Sequence, residues 1–286
     1  AIGERLLSPF FEGSTFAAEF PRLCNAAFTV PTPLHAIGDG RTHLLELFHG
    51  PSGAFKDVGA NFLATMLAFL ERDNPGTRTI LVATSGDTGS AVATAFHRRP
   101  GFRVVILYPD GRVSARQAHL LSCFGDNITT FRVGGSFDDC QAMAKAALAD
   151  REFVARHRLT SANSISLGRL LPQMVYYAEA ALQHHHAHGE VLNFVIPSGN
   201  LGNALACLIA RKMALPIGTV AITTNANHVL ADYVATGHYQ PQPTIATIAN
   251  AMDVGAPSNI ERLITIARTD PSILDDLHTL SVPDDT

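Results

Sequence analysis

Short, continuous apolar runs alternate with helix-patterned stretches through most of the chain, and this alternation restricts the fold more than any other feature. Thr79–Thr84 (TILVAT), Phe102–Tyr108 (FRVVILY), Ile128–Val133, Val191–Ile196 and Gly218–Thr224 read as strands. Strands that are apolar on both faces belong to parallel sheets covered by helices on each side. Between them, Asp57–Arg72 places Phe62, Leu63, Met66, Leu67 and Leu70 at helical spacing. Further helices are expected over Ala17–Ala27, Ala91–His97, Ser114–Phe124, Ser136–Ala149, Leu167–Gln183, Ala204–Met213, His228–Thr236 and Ile260–Arg268. The expected class is α/β, as two three-layer α/β/α units with mainly parallel sheets. Thr160–Ser166 (TSANSIS) is polar and extended, and it marks the division between the units.

Composition narrows the function classes. Apolar residues make up 47% of the 286 and charged residues 16%, with a net charge of -4. No basic run interleaved with aromatics occurs, so a nucleic-acid surface is not expected. An anionic ligand must be held by a local pocket. The four cysteines are far apart with no CxxC pair, which fits buried thiols in a reducing compartment rather than a disulfide framework or zinc site. There is no signal-peptide pattern and no apolar run of about 18 residues, so a cytoplasmic protein without a membrane partner is expected. His184, His185 and His186 are adjacent on an expected helix and so point in different directions, which suits a solvated helix end better than a metal. No metal site is expected.

Three turns share one plan of strand, glycine-containing polar turn and helix. They are Gly50-Pro51-Ser52-Gly53, Ser85-Gly86-Asp87-Thr88-Gly89 and Ser198-Gly199-Asn200-Leu201-Gly202-Asn203. In a parallel sheet such turns lie at the carboxyl ends of strands, where ligands bind. The first turn, after an expected strand Leu44–Phe48, leads into Phe55-Lys56-Asp57. Lys56 is one of only three lysines, with Lys145 and Lys212. It reads either as a solvated residue at a helix start or as a desolvated amine of lowered pKa, the kind that reacts with carbonyl groups. A cation at the positive end of a helix dipole favours the second reading. The third turn reads as an ordinary tight connection or as a phosphate cup, with glycines for close approach and free N–H groups at the helix start. No Walker A loop, GxGxxG, GxSxG or HExxH is present.

The segments ELFHGPSGAFKD, ATSGDTGSAVA, VVILYP, FDDCQA, TSANSISLGRLLPQMVYY, IPSGNLGN and ANAMDVGAPSN occur in this order. Together they resemble the threonine synthase family of pyridoxal-phosphate enzymes, of fold-type II (tryptophan synthase β-like). The resemblance implies pyridoxal 5'-phosphate as cofactor, in a Schiff base with Lys56 beside Phe55. It implies that Ser198, Gly199, Asn200, Leu201, Gly202 and Asn203 cradle the cofactor phosphate. Ser85, Gly86, Asp87, Thr88 and Gly89 would hold the substrate carboxylate. Asn163, Ser164 and Arg169, with Thr88, would bind the phosphate of O-phospho-L-homoserine, a group whose geometry suits the arginine fork. The implied reaction converts that small molecule and water to L-threonine and phosphate, with Lys56 as proton carrier. Another lyase of this fold, a phospholyase or a Ser/Thr dehydratase, is the alternative, as is a catalytically impaired shortened homologue. The family pattern extends past both ends of this chain, and the C-terminal part normally supplies the Ser or Thr that bonds the pyridine nitrogen. Residues 1–56 would contribute to the large domain, 57–159 form the small domain and 160–286 the rest of the large one. A monomer or homodimer is expected.

Overall fold

The computed structural model describes residues 2–282 and divides the chain into two compact units, Gly3–Pro172 and a second beginning at Gln173. The sequence division at 159/160 falls earlier, inside a short strand that the first unit's sheet takes up.

The first unit opens with helices α1 (Ile2–Leu7) and α2 (Phe20–Ala27), followed by an antiparallel hairpin of β1 (Leu34–Ile37) and β2 (Thr42–Leu45). The expected strand Leu44–Phe48 therefore ends at Leu45 and joins no parallel sheet, so the Gly50 turn is not at the carboxyl end of a parallel strand. No residue of this hairpin is buried: β1 is exposed after Leu34 and β2 alternates between exposed and half-buried, too little burial to recruit it into a core sheet. Helix α3 (Lys56–Glu71) comes next, then β3 (Arg78–Ala83), α4 (Asp87–Phe96), β4 (Phe102–Pro109), α5 (Ala115–Ser122) and β5 (Ile128–Val133). Both α5 and α6 (Phe137–Ala149) start with complete capping boxes, Ser114 with Gln117 and Ser136 with Asp139. Helix α7 (Arg151–His157), strand β6 (Leu159–Ser161) and the one-turn helix α8 (Leu167–Leu170) complete the unit.

Its sheet runs β5-β4-β3-β6, all parallel. One face buries Ile80, Val82, Val104 and Ile106 against Leu63, Val92, Phe96 and Leu121 of α3, α4 and α5. The other buries Leu81, Ala83 and Leu107 against Cys140 and Ala144 of α6. Two-sided coverage explains why β3 and β4 are continuously apolar.

The second unit begins with α9 (Gln173–His188). The single long helix expected over Leu167–Gln183 is broken before Gln173, where Pro172 lacks an N–H to continue the helical hydrogen bonding, although Leu171 before it keeps a helical backbone. Then follow β7 (Leu192–Pro197), α10 (Gly202–Lys212), β8 (Ile217–Thr224), α11 (Val229–Thr236), α12 (Ile260–Thr269) and β9 (Leu277–Ser281). The sheet order is β7-β8-β9, parallel throughout. Phe194 and Ile196 alternate with the exposed Asn193, Val195 and Pro197, so only one face of β7 is packed. Among the described residues, no helix is long and apolar enough to cross a membrane.

Candidate active site

In the first unit, Lys56 is the first residue of α3. Its side chain is 14% exposed, lies over the Phe55 ring at 4.5 Å and donates from Nζ to Asp87 Oδ2 at 3.2 Å. Burial pulls the Lys56 pKa down. Asp87 opposes that shift by its charge and hydrogen bond, while Arg169 reinforces it. The Asp87 carboxyl is held below its ordinary value because Lys56 and a hydrogen bond from Gln117 outweigh the cost of its burial. Gln117 Nε2 donates to Asp87 Oδ1 at 2.9 Å, and the same side chain's Oε1 accepts from Ser114 N in the α5 cap. The structure thus brings together Lys56 and Asp87, which sequence reading assigned to separate roles, and adds Gln117, which sequence reading missed. Sequence reading placed Gln117 in the expected helix Ser114–Phe124 and gave it no role.

Asp87 begins α4 behind Gly86, whose φ of 136° is strained for any residue with a Cβ. A Cβ there would also lie 2.5 Å from Gln117 Cδ. The N–H groups of Gly86 and Gly89 each donate to Thr84 Oγ1 at 2.9 Å, closing the turn on the end of β3. A Cβ on Gly89 would meet Leu121 and Thr84, so this glycine serves helix-to-sheet packing.

Ahead of Lys56, the buried Asp57 carboxylate accepts from Ser52 N at 2.9 Å and Ser52 Oγ at 2.7 Å. Its pKa is raised, since burial outweighs those two bonds and the nearby Arg169 charge. This tie replaces a parallel strand as the device that fixes the turn before Lys56.

Arg169, for which ignoring the family pattern would predict a surface ion pair, is 1% exposed. Burial lowers its pKa, with the Asp57 charge pulling the other way. Its Nη1 donates to Ala162 O at 2.6 Å, and its backbone carbonyl packs on Gly59 of α3. Asn163 and Ser164 lie half-buried in the segment between β6 and α8, and the buried Asn163 Oδ1 makes no hydrogen bond.

In the second unit, Ser198–Asn203 links β7 to α10. Leu201 takes a left-handed φ of 63° as the residue before the helix, a conformation that costs a non-glycine residue about 1–2 kcal/mol. Asn200 Oδ1 accepts from Ser258 N and Oγ at 3.2 and 3.0 Å, and Asn200 O accepts from Asn259 Nδ2 at 3.1 Å. Asn203 Oδ1 accepts from the buried hydroxyls of Tyr176 and Tyr177, each at 2.7 Å. The amide oxygens of the turn are therefore held by protein, which leaves their NH2 donors for a ligand. Gly199 also makes room for protein. A Cβ there would stand 2.9 Å from Met252 O, so its close neighbour is protein backbone. The segment behind it is tied to the end of β8, where Asn225 Nδ2 donates to Thr247 Oγ1 and Asp253 Oδ1, both at 2.8 Å.

The profile of the family described as "Pyridoxal-phosphate dependent enzyme" matches residues 29–284. Threonine synthase of Serratia marcescens is 42% identical over 99% of this chain and 65% of its own length. The crystal structure of threonine synthase from Escherichia coli superposes with a TM-score of 0.91 at 39% identity, covering 99% of this chain and 66% of that one. A pyridoxal-phosphate-bound threonine synthase from Brucella melitensis gives 0.84 at 33% identity, over 99% and 67%. The chain thus spans about two thirds of the length of these relatives. Its architecture is that of the fold-type II pyridoxal-phosphate enzymes, and the chain belongs to the pyridoxal-phosphate dependent enzyme family.

Proposed function

We propose that the chain carries out the pyridoxal-phosphate-dependent conversion of O-phospho-L-homoserine and water to L-threonine and phosphate. The observation that carries this reading is the desolvated Lys56 amine, held 3.2 Å from Asp87 at the start of a buried helix. The residues fit the cofactor. Lys56 is a lysine of lowered pKa, and Ser198 Oγ is buried with no hydrogen bond at the start of an uncharged turn before a helix. Lys56, beside Phe55, would hold the cofactor at its aldehyde group. Ser198, Gly199, Asn200, Leu201, Gly202 and Asn203 take its phosphate through N–H, NH2 and hydroxyl donors. When bound, the cofactor withdraws electrons from the substrate carbons.

The chain's own residues do the rest. Lys56 Nζ moves the protons at Cα and Cβ of the substrate, and Asp87 counters the desolvation of that amine so that it can both accept and return a proton. The substrate carboxylate is held by the Ser85–Gly89 turn through N–H groups other than those of Gly86 and Gly89, which Thr84 Oγ1 takes. The Asp87 side chain does not oppose it, because its charge is matched by Lys56 and Gln117. Arg169, Asn163, Ser164 and Thr88 hold the phosphate that leaves from Cγ. The buried Arg169 guanidinium supports this reading, since its planar fork matches a phosphate.

The test is product identification. Incubation with O-phospho-L-homoserine and pyridoxal phosphate is expected to release threonine and phosphate in equal amounts, and Lys56→Ala to abolish both this and the visible absorbance of bound cofactor. 2-Oxobutanoate in place of threonine would identify a phospholyase. Cofactor binding without turnover would identify a shortened homologue that binds but does not react.

A further inference from the structure

Two buried columns run side by side up the packed face of the second unit's sheet. On β7 they are Phe194, Ile196 and then Ser198; on β8, Val220, Ile222 and then Thr224. The register pairs Phe194 with Val220 and Ile196 with Ile222, and the ladder continues through a bond from Ser198 N to Thr223 O at 3.0 Å. Parallel strands in this register put Ser198 and Thr224 next to each other with their side chains on the same face. Helices α9 and α10 pack on these strands, and α10 starts four residues beyond Ser198. Each column thus ends, at the carboxyl edge of the sheet and beside the start of α10, in a hydroxyl.

Both residues are 4% exposed, and neither Ser198 Oγ nor Thr224 Oγ1 makes a hydrogen bond. Buried hydroxyls are normally satisfied, and an apolar side chain in the same place would avoid the loss. Their neighbours lack this feature. Asn225 Oδ1 accepts from Asn227 N at 3.0 Å, and Asn225 Nδ2 is bonded to Thr247 and Asp253. Two adjacent unpaired donors at the positive end of an eleven-residue helix make a cup for an anion.

We propose that Thr224 is a phosphate-binding residue of this cup, its hydroxyl donating beside that of Ser198, so that the anion site extends from the glycine turn onto the neighbouring strand. The inference rests on the cofactor reading above and adds a strand that the glycine motif does not contain. Thr224 Oγ1 donates to a phosphate oxygen and touches neither the aldehyde nor the substrate carbons.

Thr224→Val keeps the shape and removes the hydroxyl. Dissociation constants are measured by equilibrium dialysis for pyridoxal phosphate, for pyridoxal, which lacks the phosphate, and for inorganic phosphate. The constants for pyridoxal phosphate and inorganic phosphate are expected to rise about tenfold, the scale of one hydrogen bond to a charged group. That for pyridoxal is expected to stay within about twofold, and Thr224→Ser to restore binding. Wild-type affinity of Thr224→Val for both phosphates, or an equal loss for pyridoxal, overturns the proposal. Lys56→Ala separates the two levels. If it loses the cofactor absorbance while Thr224→Val binds like wild type, the function reading stands and this one falls. If the wild-type chain binds neither phosphate compound, both fall. Should Thr224→Val fail to fold, Thr224→Ala and Ser198→Ala are read against the same three ligands.

Discussion

Gly59→Ala is the sharpest mechanical test of how the Lys56 helix is seated. Gly59 lies in the first turns of α3, where alanine would ordinarily stabilise by about 1 kcal/mol. Here a Cβ would fall 2.5 Å from the backbone oxygen of Arg169 and 3.4 Å from its C and Cα. Carbon and carbonyl oxygen normally approach to about 3.3 Å, so roughly 0.8 Å must be recovered by moving one helix from the other. The neighbour is main chain rather than a flexible side-chain tip, and Arg169 is anchored through Nη1 to Ala162 O at 2.6 Å. The cost therefore belongs at the upper end of the overpacking range, about 3 kcal/mol. Subtracting the propensity gain leaves about 2 kcal/mol of net destabilisation, which lowers Tm by about 4–8 °C in a protein of this size.

The assay is thermal and urea unfolding followed by circular dichroism, with Gly168→Ala as control. At Gly168 a Cβ would stand 2.9 Å from Leu63 Cδ1, a side-chain methyl of the core rather than main chain, so a smaller shift relieves it. The control is expected to cost about 1 kcal/mol, the lower end of the overpacking range. If Gly59→Ala unfolds at or above the wild-type temperature, the two segments are not in contact as described, and the burial of Arg169 needs another explanation.

Asp87→Asn removes the charge that opposes desolvation of Lys56, so the pH above which that amine captures pyridoxal phosphate should fall, as read from attachment rate against pH. The same variant should lose about 1–2 kcal/mol at neutral pH, because the pKa of Asp87 is depressed by folding and its contribution is present above the ordinary carboxylate value and lost as pH falls. The lowered pKa of Lys56 has the opposite origin. Between its folded value and 10.5 the unfolded chain binds the extra proton, so stability should rise with pH through that window, and Lys56→Met should flatten the rise in urea titrations. Asn203→Ala strands the hydroxyl of Tyr177, which is 2% exposed, and leaves that of Tyr176 only its 3.3 Å bond to Gln173 Oε1, and should cost about 1–3 kcal/mol by denaturant unfolding.

What the sequence revealed follows from how far each signal reaches. The strands β3 and β4 were legible because two-sided burial writes an apolar run, β7 and β8 because apolar residues fill their buried face, and β5, with only Ile128 buried, because of its β-branched residues. Strand β6 has only three residues, and β9 mixes His278, Thr279 and Ser281 into an edge position, so neither carries such a run. The break at Pro172 was legible in principle from the proline rule, yet apolar spacing on both sides hid it. Lys56 stood out by its rarity and its turn. Its partner did not, since Asp87 is 31 residues away and the pairing exists only once α3 and α4 pack.

The glycine turns show why a motif places a site better than it explains one. Sequence reasoning took glycine as room for a ligand, but Gly86 makes room for Gln117, Gly89 for Leu121 and Gly199 for Met252. Their small size is consumed inside the protein, by contacts that hold each turn in shape. The amide oxygens of Asn200 and Asn203 are consumed likewise. What remains for a ligand is the set of donors that the protein leaves unused: helix-start N–H groups, amide NH2 groups and the hydroxyls of Ser198 and Thr224. Only one of those two hydroxyls lies within the glycine motif. The other ends a β-strand whose apolar pattern gives a threonine no special standing, and it is visible only when the two strands are set in register. On the proposed reading, glycine spacing locates the turn, and the unpaired donors locate the ligand.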